Sequence, residues 1–215
     1  MGQSTSTHIS ILVTRPNHDR MTRYLSAWAG KFMEEAAAKG HIINTLKDEK
    51  VNRANFEGMI TKMRPEVIFI NGHGDADRIG GHDNEVILDT NTCGILAGAR
   101  IYALSCKTAL MLGPKAITCG AGGYIGYKQD FMLVSQPQNT HQPLEDETAA
   151  LFLEPSNQIV SALAKGHDTR TVVAKGRAAY GRSIQKALNS DIQSDNDKYI
   201  PYLLWDRMFL SDCTQ

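Results

Sequence analysis

Residues 67–75 read V-I-F-I-N-G-H-G-D, and they decide the predicted fold. The run opens with four apolar residues and ends abruptly at a histidine between two glycines. A short continuous apolar run of this kind is typical of a strand in a parallel sheet that helices cover on both faces. The pattern therefore places His73 just beyond the carboxyl end of a buried strand.

The residues before this strand alternate between strand and helix patterns. Apolar runs at 8–14 and 41–46 predict two further strands. Apolar and small residues recur every three to four positions over 19–39, which predicts an amphipathic helix, and a second helix is predicted over 52–63. This β-α-β-α-β order is typical of an α/β fold with right-handed crossovers.

Strand patterns return after His73. Turn-forming residues flank a short apolar run within 77–90, which predicts a hairpin. A fourth strand is predicted over 100–106 and a fifth, rich in glycine, over 116–127. The segment 202–212 is predicted to end in a sixth strand. Together these patterns indicate a mostly parallel sheet of roughly six strands.

Helices are predicted for most of the chain after residue 143. Pro155 is expected to begin one helix and Gly166 to end it. Asp168 is a candidate cap for a long helix over 169–189, and a polar linker is predicted over 190–198. With two or three helices on this side, the sheet would be covered on both faces in a three-layer sandwich.

The chain is predicted to form one domain over 1–215. Its 215 residues, of which 42% are hydrophobic, are enough for one well-buried core. The strand–helix core spans about 8–127, and the C-terminal helices and last strand span 144–212. Residues 128–143 between them are polar, contain prolines and are predicted to be a mobile loop.

Charge and hydropathy argue against nucleic-acid and membrane partners. The 23 Lys and Arg residues balance the 23 Asp and Glu residues, so no net field attracts either partner. The basic residues at 175, 177, 182 and 186 have the spacing of a solvated helix face. No apolar run approaches the roughly 18 residues of a membrane span. The N-terminus reads as a polar leader without a signal-peptide pattern, so a soluble, cytoplasmic protein is expected.

The cysteines indicate neither a structural metal site nor disulfides. Cys93, Cys106, Cys119 and Cys213 include no C-x-x-C pair. Disulfides are not expected in a chain of this length without a secretion signal. Cys93 and Cys119 are interpreted as core residues, the latter in the middle of a strand.

Cys106 and His73 are the residues that suggest catalysis. Each follows an apolar strand, and the carboxyl ends of parallel strands share the sheet edge at which α/β proteins bind ligands. An imidazole beside a thiol can accept its proton and later protonate a leaving amine. The backbone N–H groups of Gly74 and Cys106 are candidates for an oxyanion hole. The glycines beside His73 are interpreted as room for a substrate backbone.

The motifs V-I-F-I-N-G-H-G-D and I-Y-A-L-S-C (101–106) resemble the caspase-like clan of cysteine peptidases. That clan includes caspases, metacaspases, legumain, separase, gingipain-like enzymes and the bacterial CHAT proteases. Its shared pattern is an apolar strand ending in His-Gly, then an apolar strand ending in a small residue and Cys. The resemblance implies a caspase-like three-layer fold and a cysteine endopeptidase, with Cys106 as nucleophile and His73 as general acid and base.

The resemblance also suggests where a substrate binds. The strand at Y-I-G-Y (124–127) would border the pocket for the residue before the cut, which makes Tyr124 a candidate contact, together with Ser105. Lys107 stands where caspases have Arg or Gln followed by Gly, so a preference for aspartate is not implied. Asp130 is a candidate carboxylate that would select Arg or Lys.

No motif identifies a third residue that orients His73. Asn17 or Asp19, just beyond the first strand, could reach the same sheet edge. The expected partners are protein substrates and an activating sensor or other regulatory protein, with self-cleavage in 128–143 as another means of control. In bacterial relatives such control serves defence, and that role is implied by the resemblance alone.

Two other functions remain open. A metal-dependent hydrolase could use the polar loop after the third strand, which contains five candidate ligands: His73, Asp75, Asp77, His82 and Asp83. Alternatively, the same fold could serve as an inactive binding or signalling module. No cofactor and no catalytic metal are expected for the peptidase, although the loop carboxylates could hold an accessory calcium ion.

Overall fold

A computed structural model of the protein describes residues 8–189 and 198–214. The predicted N-terminal leader and most of the predicted linker at 190–198 lie outside the described residues. The strands are β1 (Ser10–Arg15), β2 (Ile42–Lys47), β3 (Val67–Asn71), β4 (Gly74–Asp75), β5 (Arg78–Gly80), β6 (Val86–Asp89), β7 (Arg100–Leu104), β8 (Gly123–Tyr127) and β9 (Leu210–Asp212). The helices are α1 (Arg20–Ala38), α2 (Arg53–Met63), α3 (Leu112–Thr118), α4 (Glu147–Ala164), α5 (Thr169–Leu188) and α6 (Ile200–Phe209).

Six strands form the main sheet in the order β2-β1-β3-β7-β8-β9. Every pairing is parallel except that of β9, which runs antiparallel to β8. The predicted hairpin is part of a separate three-stranded antiparallel sheet with the order β4-β5-β6. The predicted α/β fold, with a mostly parallel six-stranded sheet between helices, is confirmed.

Strand β3 is buried on both faces, as its apolar run predicts. Phe69 faces a core that also contains apolar residues of α1, α4 and α5. Ile68 and Ile70 face a second core, built with apolar residues of α2 and α3. Because successive side chains of a strand point to opposite faces, one apolar strand serves both layers of helices.

The predicted fifth strand is wrong over its first half. Residues 112–118 form α3, in which Leu112 and Ala116 lie one turn apart and are fully buried. The sheet strand begins only at Gly123. Cys119 therefore ends a helix rather than lying within a strand, and its sulfur contacts that of Cys93 at 3.3 Å.

Pro155 does not begin a helix, because α4 runs through it from Glu147 to Ala164. A proline inside a helix removes one backbone hydrogen bond and strains the preceding turn. The buried face of α4 nevertheless continues on both sides of it, with Phe152 and Ile159 fully buried against the sheet layer. This shared core compensates for the lost hydrogen bond. The predicted cap of the next helix is confirmed, since the Asp168 side chain accepts a hydrogen bond from the Thr171 N–H.

Among the described residues, none of the helices combines the length and the apolar character needed to cross a membrane.

Candidate functional site

The strands before His73 and Cys106 are neighbours in the main sheet. Strands β3 and β7 pair in parallel, and their register aligns Asn71 with Leu104. His73 and Cys106 each follow these aligned residues by two positions, so they lie at the same sheet edge. The two segments are also tied together, because the Ser105 hydroxyl donates a 2.9 Å hydrogen bond to the Gly72 carbonyl oxygen.

Glycine at position 74 is required by a close approach within the chain itself. A Cβ atom on Gly74 would lie 2.8 Å from the Cys106 carbonyl oxygen and 2.9 Å from Ser105 Cβ. A Cβ atom on Gly72 would overlap the carbonyl oxygen of Gly80. The interpretation that these glycines leave room for a substrate backbone is therefore wrong for this conformation. The space beside Gly72 is occupied by the backbone of Gly80, and the space beside Gly74 by the Cys106 backbone and the side chains of Ser105 and Thr108.

Replacing Gly74 with alanine is expected to lower the free energy of unfolding by about 1–3 kcal/mol, because the added methyl group overpacks a site closed by the Cys106 backbone and the Ser105 side chain. The matched control is Gly58→Ala in α2, where an added Cβ meets no atom within 4 Å. Alanine there should stabilise the helix by about 0.5–1 kcal/mol. Chemical denaturation of both variants measures the difference, and equal stabilities would contradict the packing argument.

Asp19 contacts His73, in agreement with one of the two residues that sequence position suggested. Its Oδ2 atom lies 2.5 Å from Nε2 of His73. The same carboxylate caps α1 by accepting a hydrogen bond from the Thr22 N–H. Burial acts to raise the pKa of Asp19, but the hydrogen bonds from Thr22 and His73 outweigh it, so the pKa lies below its usual range. An ionised Asp19 therefore accepts the Nε2 proton of His73.

This contact fixes which nitrogen of His73 is available for chemistry. When a neutral imidazole has its proton on Nε2, its Nδ1 atom carries the lone pair and can accept a proton. The His73 and Asp19 side chains are 40% and 39% exposed, so both are accessible from solvent. Asn17, the other candidate, has its Oδ1 atom buried and without a hydrogen-bond partner in the described part of the chain.

The thiol of Cys106 is half-buried and lies against the apolar core that contains Phe131. Burial raises the pKa of this thiol to about 11. A backbone hydrogen bond from Phe131 acts to lower it, whereas the Asp130 carboxylate raises it further. The thiol is thus protonated near neutral pH in this conformation.

Residues 129–132, here called the covering segment, are fixed over the thiol at several points. The Lys107 N–H donates to the Gln129 carbonyl oxygen at 3.1 Å, and the Lys107 ammonium lies 3.2 Å from the Asp130 carboxylate. On the other side, the Trp205 indole N–H donates to the Asp130 carbonyl oxygen at 2.9 Å. The first part of the predicted loop is therefore attached both to the segment after β7 and to α6.

A buried carboxyl group supports the end of the covering segment. Oδ1 of Asp206 accepts a 2.9 Å hydrogen bond from the Met132 N–H. Its Oδ2 atom is buried, with no partner among the residues that the structure describes. Burial raises the pKa of Asp206 well above its usual range. The group is therefore protonated over a pH range in which the unfolded chain would ionise it.

Stability is consequently expected to fall with rising pH because of Asp206. The folded-state pKa of Asp206 is raised, so above about pH 4 the unfolded chain ionises this carboxyl group while the folded protein still holds the proton. Because only the unfolded state gains from this ionisation, a rising pH favours unfolding. An Asp206→Asn variant keeps the carbonyl acceptor and lacks this titration. Its unfolding free energy relative to wild type should increase as the pH rises from 4 toward 8. A difference that does not vary with pH would mean that Asp206 ionises normally in the fold.

Two of the three predicted substrate contacts are buried in this conformation, and the third is held in an ion pair. Tyr124 is 0% exposed and belongs to the core on the α2 and α3 side, and Ser105 is 2% exposed with its hydroxyl bonded to Gly72. Asp130 is exposed, but its carboxylate is paired with Lys107. That ion pair weakens the attraction that Asp130 would exert on an Arg or Lys side chain.

The loop after β3 does not gather the predicted set of metal ligands. Asp77 pairs with Arg78, while Asp75 and Asp83 are exposed. Within residues 8–189 and 198–214, the one group of three side chains close enough to share a metal ion is His18, Asp19 and His73. Sequence analysis missed His18, although the N-H-D run directly after β1 was a signal that could have identified it.

Comparison of the sequence with models of known protein families and with curated proteins found no match to either.

Proposed function

We propose that the protein is a cysteine endopeptidase in which Cys106 is the nucleophile and His73 is the general acid and base. The observation that carries this proposal is the parallel register of β3 and β7, which aligns the segments bearing the two residues. The resemblance of both motifs to the caspase-like clan supports the same assignment. The contact between Asp19 and His73 adds a group that can orient the imidazole.

The proposed reaction begins with transfer of the thiol proton to Nδ1 of His73. The Cys106 sulfur then attacks the scissile carbonyl carbon, and the N–H groups of Gly74 and Cys106 stabilise the negative charge that develops on its oxygen. His73 returns the proton to the departing amine, which leaves an acyl group on sulfur. Water, deprotonated by His73, hydrolyses this thioester, and Cys106 regains its proton.

Asp19 supports two steps of this reaction. It accepts the Nε2 proton and thereby holds the tautomer whose Nδ1 atom can act as a base. Once His73 has taken up the thiol proton, the imidazolium carries a positive charge that the neighbouring carboxylate stabilises. Asp19 is thus a positioning residue, and it need not accept a proton itself.

Regulation at the covering segment is part of this proposal. A thiol with a raised pKa is a weak nucleophile at neutral pH, because the thiolate is the reactive form. Movement of residues 129–132 would expose Cys106 to water and bring its pKa down toward the ordinary value. A regulatory partner or cleavage between 128 and 143 could cause such a movement, and the substrates would be proteins.

The experiment that tests the function compares new peptide N-termini in a cell-free proteome. One sample receives the untreated protein, a second receives protein alkylated at its thiols, and a third receives protein treated with a strong chelator. A cysteine peptidase produces new termini that disappear only on alkylation. Loss on chelation alone would favour the metal-dependent hydrolase. The same comparison is made with Lys107→Ala and Trp205→Ala, which each remove one side-chain attachment of the covering segment. No new termini with any of these proteins would favour the binding module.

A further inference from the structure

His73 lies in a cluster of polar side chains that the peptidase mechanism does not fully use. His18 and Asp19 come from the turn between β1 and α1, and His73 comes from the end of β3. One potential ligand atom from each of these three residues lies within 4.8 Å of the other two. Nε2 of His18 is 3.6 Å from the same Asp19 oxygen that contacts His73.

The His18 backbone N–H donates a hydrogen bond to the Thr22 hydroxyl, but its ring has no such partner among the described residues. The His18 side chain is only 9% exposed, and within residues 8–189 and 198–214 both of its ring nitrogens are buried without a hydrogen bond. The ring packs edge-on against His73, with ring centroids 5.8 Å apart, and against His82, at 5.3 Å. Buried ring nitrogens are normally bonded to a donor, an acceptor or a metal, so an unpartnered imidazole at this place indicates a missing ligand.

We propose that His18, Asp19 and His73 bind a divalent transition-metal ion of the zinc class. Two imidazole nitrogens and one carboxylate oxygen form a donor set that Zn²⁺ accepts, with a fourth position for water. Donor atoms on one tetrahedral zinc lie about 3.3 Å apart, given bonds of about 2.0–2.1 Å. The three side chains would therefore need only small rotations, with Asp19 and His73 moving apart and His18 moving inward. Calcium fits poorly, because it takes oxygen ligands rather than imidazole.

Metal binding would switch off the proposed peptidase, and this consequence rests on the proposed function. A metal ion on Nε2 of His73 displaces the proton that Asp19 holds there. The neutral ring then carries its proton on Nδ1, and the only lone pair is the one bound to the metal. His73 could no longer accept the Cys106 proton, so zinc should inhibit cleavage without contacting the thiol.

The test is a binding titration that does not depend on peptidase activity. The full-length protein, freed of metal by dialysis against a chelator, is titrated with Zn²⁺ in competition with a chromophoric chelator. We expect one Zn²⁺ per chain and at least about a 10-fold loss of affinity in His18→Ala, since even changes to residues behind the ligands weaken metal sites by about 10- to 100-fold. His18→Gln is the second variant in case alanine perturbs the fold, and thermal melting of both variants checks their integrity.

Two controls separate this site from binding elsewhere. His167→Ala removes a histidine that lies just before α5, far along the chain from the cluster, and should leave the affinity unchanged. Cys106→Ala should also bind normally, whereas a site that used the thiols, such as the adjacent pair Cys93 and Cys119, would give a sulfur-to-metal charge-transfer band with Co²⁺. Unchanged affinity in both folded His18 variants, a thiolate band, or no binding by wild type would each overturn the proposal. Any of these results would leave the peptidase proposal intact. Zinc binding by a protein that shows no peptidase activity would contradict the peptidase proposal alone and leave the zinc site standing.

Discussion

Cys106→Ala is expected to abolish peptide-bond cleavage, with a loss of about 10⁴-fold or more in kcat. The physical reason is that the acyl intermediate forms on the Cys106 sulfur, while the neighbouring Ser105 hydroxyl is buried and bonded to the Gly72 carbonyl oxygen. Removal of a nucleophile from a comparable peptidase costs up to about 10⁶-fold. The measurement is the initial rate on a substrate peptide that the proteome comparison identifies. Wild type should also form a covalent adduct with a thiol-reactive analogue of that peptide, detected by intact-protein mass, and the variant should form none.

The matched control is Cys119→Ala. Cys119 is also partly exposed, but it ends α3 and its sulfur contacts Cys93 in the core on the α2 and α3 side of the sheet. Its removal should therefore leave cleavage and adduct formation unchanged. Full activity in Cys106→Ala would rule out Cys106 as the nucleophile. Equal loss in both variants would indicate a fault in folding rather than in catalysis, which a thermal melt would reveal.

The sheet and its catalytic edge could be predicted because they depend on local patterns and one general rule. Apolar runs at β3 and β7 are each long enough to identify a buried strand without knowledge of the rest of the chain. The rule that parallel strands share an edge then places His73 near Cys106. Helix α3 was missed because it spans only Leu112–Thr118, and the glycines that follow it resemble a bent strand.

The surroundings of His73 could be predicted only in part. The shared edge of parallel strands places the residues after β1, among them Asp19, near the end of β3. Which of them contacts His73, and the burial of the His18 ring, depend on the path of the turn before α1, which no local pattern specifies. The role of Gly74 shows the same limit. A glycine indicates a close approach, but the sequence does not identify the approaching atoms, which are those of Ser105 and Cys106.

Asp19→Asn is expected to lower kcat by between about 10²- and 10⁴-fold while leaving the fold stable. The upper figure is the effect of the same change on the buried aspartate of a serine-protease triad, where the wrong imidazole tautomer results. The partial exposure of Asp19 favours the lower figure, since water screens its charge. Asparagine caps helices about as well as aspartate, so the hydrogen bond from the Thr22 N–H should persist. The measurement is kcat and KM for the same peptide, and the loss should fall on kcat.

A pair of alanine variants separates positioning from capping. Asp19→Ala and Asp168→Ala each remove the side chain that caps a long helix, α1 or α5, and each should lower the free energy of unfolding by about 0.5–2 kcal/mol. Only the change at position 19 also removes the partner of His73, so only that variant should lose activity at a temperature where both remain folded. Normal kcat in Asp19→Asn would show that the carboxylate acts solely as a helix cap. In that case the contact between Asp19 and His73 would have no part in setting the tautomer of His73 during catalysis.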